Sequence, residues 1–391
     1  MLKYQIILGT KIVENKKSLN ERFVYLDNIR SLVIVLVLAM HAAVTYSGFG
    51  AWFYVEGSTE YLSIFETVFF GFFQSFLQAW TMGALFFISA YFASRALVKR
   101  GALNFIKERL FRLGIPLIIF VFIVTPFILF ILLGYNSDNN LIQNYLQYLI
   151  TFIWLGGTGP LWYVQTLLIF SIVYAIVKKC LTKKIAVQKI TPVNIVFIMI
   201  VTGIVAFLLR IVFPIGSSFF NLQLGYFSSY IVMFIMGVII GENDLLNIIT
   251  DEKNIKWLKI SLVIGIPFWA LTMLFGGALD GKTYYNGGFN VVSLAFSFWE
   301  SLTAIGFSIG IIALFRKKVN IDNKFTGIIR DNAFGLYFFH APIMVIISLI
   351  LKNWFLKPLL KFLVVLIITF FVNLLFSYFL RKIKPMGLIF R

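Results

Sequence analysis

Ten predominantly apolar stretches, each about twenty residues long or longer, decide what kind of object this 391-residue chain can become. They lie near 29–48, 64–94, 111–134, 160–178, 192–213, 226–241, 257–276, 290–315, 332–351 and 358–381. A helix needs roughly 20 apolar residues to cross roughly 30 Å of hydrocarbon. No water is available there to satisfy the backbone, so each stretch must bond within itself. The expected fold is an all-α polytopic membrane protein of about ten transmembrane helices with short loops. Only 13% of the residues are charged, which leaves no room for a sizeable water-facing domain. The reading divides the chain into an N-terminal tail (1–24), a membrane domain (25–385) and a C-terminal tail (386–391). The run Leu141–Leu155 is apolar but short, and reads as a re-entrant or interfacial helix on the outer side.

Charge placement orients the bundle. A formal net charge of +18 is also common in nucleic-acid binders, but here the cations cluster in short segments between apolar runs, the pattern of membrane-flanking loops. Of 34 Lys and Arg residues, 29 fall in alternate segments on one side. The other side holds five: Arg210, Lys282, Lys352, Lys357 and Lys361. Positive charge is retained in the cytoplasm, so both ends are expected inside, with the bundle in the plasma or inner membrane. Met1–Thr10 lacks the apolar core and cleavage site of a signal peptide. Cys180 is the single cysteine, so no intrachain disulfide forms. Two histidines on separate spans and no cysteine cluster offer no metal site. No internal repeat is visible, which weighs against the inverted-repeat transporters.

Ionisable groups inside a membrane need a reason to be there. Both histidines, His41 and His340, fall within expected spans, as does Glu300; Glu66 lies nearer an outer end. Arg30 and His41 are eleven residues apart, which at about 100° per residue places them on one helix face roughly 16 Å apart along the axis. That face carries an anion-binding cation at the inner mouth and a proton-transfer group deeper in. A snorkelling arginine and a histidine bonded to a neighbouring helix explain the same residues. Asp27 reads as the N-cap of this span. Arg109 and Arg112 share a face and suit a phosphate or diphosphate, though inner-side anchoring also explains them. Trp162 and Tyr163, behind Gly156-Gly-Thr-Gly-Pro160, read as aromatic-belt residues, with a ligand-facing role as the other reading. His340 sits near mid-depth, two residues before Pro342, whose missing N–H leaves the Phe338 carbonyl free and loosens the backbone beside it; a structural histidine and a functional one both fit. Arg210, near an outer end, reads equally as an interface anchor and as a cation able to meet a ligand carboxylate.

Taken together, these elements resemble the acyltransferase-3 family of integral-membrane O-acyltransferases. The resemblance rests on the Arg30–His41 spacing, the Arg109-x-x-Arg112 pair, Leu161-Trp162-Tyr163, Phe86-Phe-Ile-Ser-Ala-Tyr-Phe92 and Tyr337…His340-x-Pro342. Tyr25-Leu-Asp-Asn-Ile-Arg30 and Arg112-Leu-Gly-Ile-Pro116 are similar to the branch containing periplasmic-glucan succinyltransferases. The likeness covers roughly residues 22–385. It implies a bacterial cell-envelope enzyme that moves an acyl group (acetyl, succinyl or similar) from cytoplasmic acyl-CoA to a hydroxyl of an extracytoplasmic glycan or lipid-linked saccharide. No bound cofactor is implied; acyl-CoA is a cosubstrate, and nucleic acid is not a partner.

On this reading His41 is the catalytic general base, while Arg30, Arg109 and Arg112 hold the CoA phosphates. Trp162, His340 and Glu300 support the acceptor side. Direct transfer and an acyl-histidine intermediate both stay open. The rival class is a proton-coupled transporter or flippase of a glycan or lipid precursor, with Glu300, His41 and His340 as a relay. A non-catalytic membrane assembly factor is a third reading.

Overall fold

A computed structural model describes residues 23–136, 138–181 and 185–389. Residues 1–22 of the expected N-terminal tail, together with Lys183, Lys184 and Arg391, lie outside the described residues. Ten helices are long and apolar enough to cross a membrane. These are α1 (Val24–Ser47), α2 (Ile64–Arg100), α3 (Ala102–Leu132), α5 (Gly159–Cys180), α6 (Pro192–Val212), α7 (Leu224–Glu242), α8 (Glu252–Phe275), α9 (Val291–Lys318), α10 (Lys324–Ile350) and α11 (Pro358–Lys382). Shorter helices among the described residues include α4 (Leu141–Ile150) and α12 (Lys384–Ile389). The last of these makes part of the expected C-terminal tail helical. The chain is therefore an all-α, multi-pass membrane protein.

Helix ends follow local chemistry. Ser63 and Glu66 form a capping box at the start of α2, so Glu66 satisfies backbone N–H groups at a helix terminus. Asn323 and Thr326 do the same for α10. The N-cap reading of Asp27 does not hold. Helix α1 begins at Val24, and Asp27 lies inside its first turn, 3.5 Å from Arg30 Nη1. Tyr25, Leu26 and Ile29 are buried in the core, and that packing extends the helix one turn below the hydropathy boundary.

Pro126 explains why Leu141–Leu155 does not cross. A proline lacks the N–H that its helix would direct at carbonyls one turn back. Around it α3 widens into π-helical turns, at Phe120–Val124 and Phe127–Leu132. Tyr148 donates from its hydroxyl to the Val121 carbonyl (2.8 Å), and Tyr145 to that of Phe122 (3.2 Å). These bonds pin α4 against α3. At 10 residues α4 is also only about 15 Å long.

Helices α1, α2, α9 and α10 are the most deeply buried. Lipid supplies no hydrophobic drive between helices, so close association depends on small residues. Gly237 and Gly241 of α7 face Ala90 and Ser94 of α2; a Cβ added at Gly237 would stand 2.8 Å from that of Ala90. On the other flank, Asn373 of α11 donates to the Leu336 carbonyl of α10 at 2.8 Å.

Candidate functional site

A cavity of about 1340 Å³ enters the bundle from the end opposite the cation-rich loops. Loop residues such as Ala51, Ser218 and Asn286 line its mouth, and His41, Thr81, Trp162, Tyr230 and Tyr337 line its depth. His41 keeps part of its surface in this space, whereas His340 is fully buried behind it.

The two histidines, 299 residues apart, meet: Nε2 of His340 lies 3.2 Å from Nδ1 of His41. Their backbone partners set the tautomers. His340 Nδ1 is 2.6 Å from the Tyr337 carbonyl, which only accepts, so Nδ1 carries the proton and Nε2 of the neutral ring keeps a lone pair. His41 Nδ1 faces that lone pair and the Val37 carbonyl at 2.9 Å; two acceptors require it to donate. The unprotonated atom of His41 is therefore Nε2, which has no protein partner among the described residues. This chain of bonds turns a basic nitrogen toward the cavity.

A residue outside the sequence reading completes the pair. Trp52 packs over His41 (ring centroids 4.8 Å apart) and lies parallel to His340 (6.4 Å, 10°). Its indole N–H reaches Thr45 Oγ1 and the Tyr54 carbonyl, fixing the α1–α2 loop against the histidines. Lys361 holds the same loop by an ion pair with Glu56, and its 3.2 Å bond to the Lys352 carbonyl ties that loop to the α10–α11 connection. Lys361 is 3% exposed, so this outer-side cation is a structural partner. Burial and the Glu56 carboxylate push the Tyr54 phenol up to about 12, so it stays protonated and donates to Glu56 at 3.3 Å. The only sequence signal for Trp52 was an aromatic-rich loop, Phe49 to Tyr54.

The glycine-rich entrance to α5 is a wall of the cavity. Gly159 has φ +46°, and a Cβ there would stand 2.8 Å from the Phe53 ring. Asn221 donates to Thr158 Oγ1 and to the Gly159 carbonyl, and the Tyr337 hydroxyl bonds the Pro160 carbonyl. Trp162 lines the cavity, its ring tilted against that of Tyr230 at 5.5 Å, and Tyr163 is buried with its hydroxyl 2.9 Å from Ser89. The belt reading of both is overturned; helix α5 turns this face inward.

At the other end lie the arginines. Arg30 and Arg112 are exposed, and Arg109 is half-buried with its guanidinium 5.0 Å from the Phe105 ring. Arg109 lies within electrostatic range of Arg112, Arg100 and Arg30. Glu108 pairs with both Arg100 and Arg112, leaving the cluster with a cationic excess. Tyr163 is in range of Arg30 and Arg109, and its ring is 6.4 Å from that of Tyr337, which leads to His340. The structure therefore gathers Arg30, Arg109 and Arg112 at one end and the histidines deeper in, and it adds Arg100, whose partner Glu108 hid it in the sequence.

Glu300 does not join them. It is ion-paired with Arg210, and both are buried. Arg210 also donates to the Gly225 carbonyl (3.1 Å) and Ser297 Oγ (3.2 Å) and lies over Tyr226 and Phe296. The interface-anchor reading of Arg210 is overturned: the carboxylate opposite it draws it inward. Among the described residues, no cluster of three or more metal-ligating side chains exists.

A family model described as an acyltransferase domain matches residues 23–378, and no curated protein matches the chain. The chain belongs to the acyltransferase-3 family and is a membrane acyltransferase of the O-acyl-transferring type.

Proposed function

We propose that this acyltransferase takes an acyl group from acyl-CoA at the arginine-rich end, in the cytoplasm, and passes it to a hydroxyl of a saccharide or lipid-linked saccharide in the cavity at the other end. It would reside in the plasma or inner membrane of a bacterial cell. The observation that carries the reading is the commitment of His41 Nδ1–H to His340 and Val37, which leaves Nε2 basic at the cavity surface. His41 acts as general base. Its Nε2 takes the proton from the acceptor hydroxyl while that oxygen bonds to the thioester carbonyl carbon. The carbon–sulfur bond breaks, and the imidazolium returns its proton to the departing thiolate as CoA-SH. The transient positive charge on His41 is stabilised by the His340 lone pair and the Val37 carbonyl, the part a carboxylate plays behind other catalytic histidines.

Arg30, Arg109 and Arg112, with Arg100 beside them, hold the donor's phosphates. Their charge excess, at the opposite end from the cavity mouth, supports that role. Trp162 forms part of the acceptor surface and His340 orients the base. Glu300 supports the site indirectly, as the partner of Arg210. The transporter reading needs a free intramembrane carboxylate, and Glu300 is ion-paired, so nothing favours that reading. The test is thiol release from acetyl-CoA or succinyl-CoA by the purified protein with saccharide acceptors. Release that disappears in a folded His41→Ala variant is expected; wild-type turnover by that variant ends the proposal.

A further inference from the structure

The cavity wall carries no formal charge. Among the described residues that line it there is no Asp, Glu, Lys or Arg, in a chain whose net charge is +18. Two ion pairs of the described residues stand behind the wall and each neutralises itself: Arg210 with Glu300, behind the Tyr226 ring, and Lys361 with Glu56, on the loop that carries Trp52. The wall offers aromatic faces and neutral hydrogen-bonding groups instead. Trp162 and Tyr226 both pack against Tyr230, with interplanar angles of 31° and 28°, so three aromatic rings cluster on one part of the wall. Gln74 and Gln78, one turn apart on α2, are held by Ser47 and Tyr230 through their NH2 groups, and their carbonyl oxygens remain to accept from a ligand.

From this wall we infer that the acceptor is an uncharged, hydroxyl-rich sugar, bound by stacking of its C–H face on Trp162 and Tyr230 and by bonds from its hydroxyls to the Gln74 and Gln78 amides. A uronate, phosphate or amino sugar would bring a charge into a space that has no opposite charge to meet it. The volume exceeds the roughly 300–1,000 Å³ of pockets for drug-sized ligands, so it holds more than one ring. This inference rests on the acyl-transfer reading for its chemistry, but its test does not.

Trp52, Trp162 and Trp269 line the cavity, so tryptophan fluorescence reports occupancy without turnover. The measurement titrates the full-length protein, wild type and His41→Ala, with neutral maltotriose and with its counterpart oxidised to a uronic acid at a terminal C6. Neutral tri-N-acetylchitotriose and its deacetylated, cationic form make a second pair. Saturable quenching by the neutral sugars in both proteins, at least tenfold tighter than by either charged form, is expected. Gln78→Lys should narrow or reverse the gap for the uronic acid. Equal binding of neutral and charged forms, or no binding of any sugar, overturns the inference. Selective binding without acyl-CoA turnover upholds it and removes the proposed reaction instead.

Discussion

Among the described residues, Arg210–Glu300 and His41–His340 are two pairs of ionisable side chains within the helices of this bundle, and they behave oppositely. Arg210 and Glu300 close on each other, and Gly225, Ser297 and Ser229 take up further bonding positions. His41 and His340 also bond each other, but the pair is left with a lone pair on a cavity surface. A charged pair closed on itself and on its neighbours is scaffold; a neutral pair that keeps a lone pair toward a cavity is equipment for proton transfer. An ionisable residue at membrane depth is therefore only a starting point, and its unused bonding capacity decides which kind it is.

The sharpest way to break the comparison is to alter each pair and see whether chemistry or folding fails. His41→Ala should reduce acyl transfer on the order of 10²–10⁴-fold, the usual worth of a positioned base, with thermal unfolding in detergent unchanged. Arg210→Met should instead destabilise the protein by about 3–5 kcal/mol, because it strands the Glu300 carboxylate. Adding Glu300→Leu to it should recover most of that loss in the same unfolding measurement. If Arg210→Met left stability intact but abolished transfer, the scaffold assignment would be wrong.

Smaller effects sharpen the picture. Loss of the Arg109 guanidinium should raise the KM for acyl-CoA about tenfold to a hundredfold, since a charge-assisted hydrogen bond is worth roughly 1.5–3 kcal/mol, and should leave kcat less affected. His340→Ala should lower kcat by about ten- to a hundredfold, the range seen for residues that orient a working histidine. His340→Gln, whose carbonyl can accept from His41 Nδ1–H, should recover part of it; equal loss in both variants would assign His340 to packing alone. Lys361→Met should lower kcat only a few-fold, an estimate of about 1 kcal/mol for one contact among several holding the Trp52 loop, with quenching of Trp52 as a direct readout of its position.

Much of the fold was legible because hydropathy is a local property. The spans were found within a few residues, except where Tyr25 and Leu26 extend α1 by packing and where more polar turns extend α2 to Arg100, α8 back to Glu252, and α3 and α10 ahead of their apolar runs. The site was legible in part. His41 and Arg30 could be placed by helical period, and His340 by its rarity. Trp52 could not, since a loop has no period that says which way it folds back. Trp162 was read as a belt residue because its position near a span end fits both outcomes, and only the packing against Tyr230 decides between them.

Sequence alone determined that this chain is a multi-pass helical membrane protein, with cations gathered at one end and two histidines at membrane depth. Those facts depend on residue types and spacings along one helix at a time. Tertiary structure decided that His41 meets His340, that Glu300 meets Arg210, and that the space beside the first pair is walled without charge. Partners 299 and 90 residues apart come together through the register and rotation of packed helices, set by small-residue contacts such as Gly237 against Ala90 and by the turn of α4 that Pro126 pins in place. No local pattern carries that information, because each helix face finds its meaning only in the face packed against it.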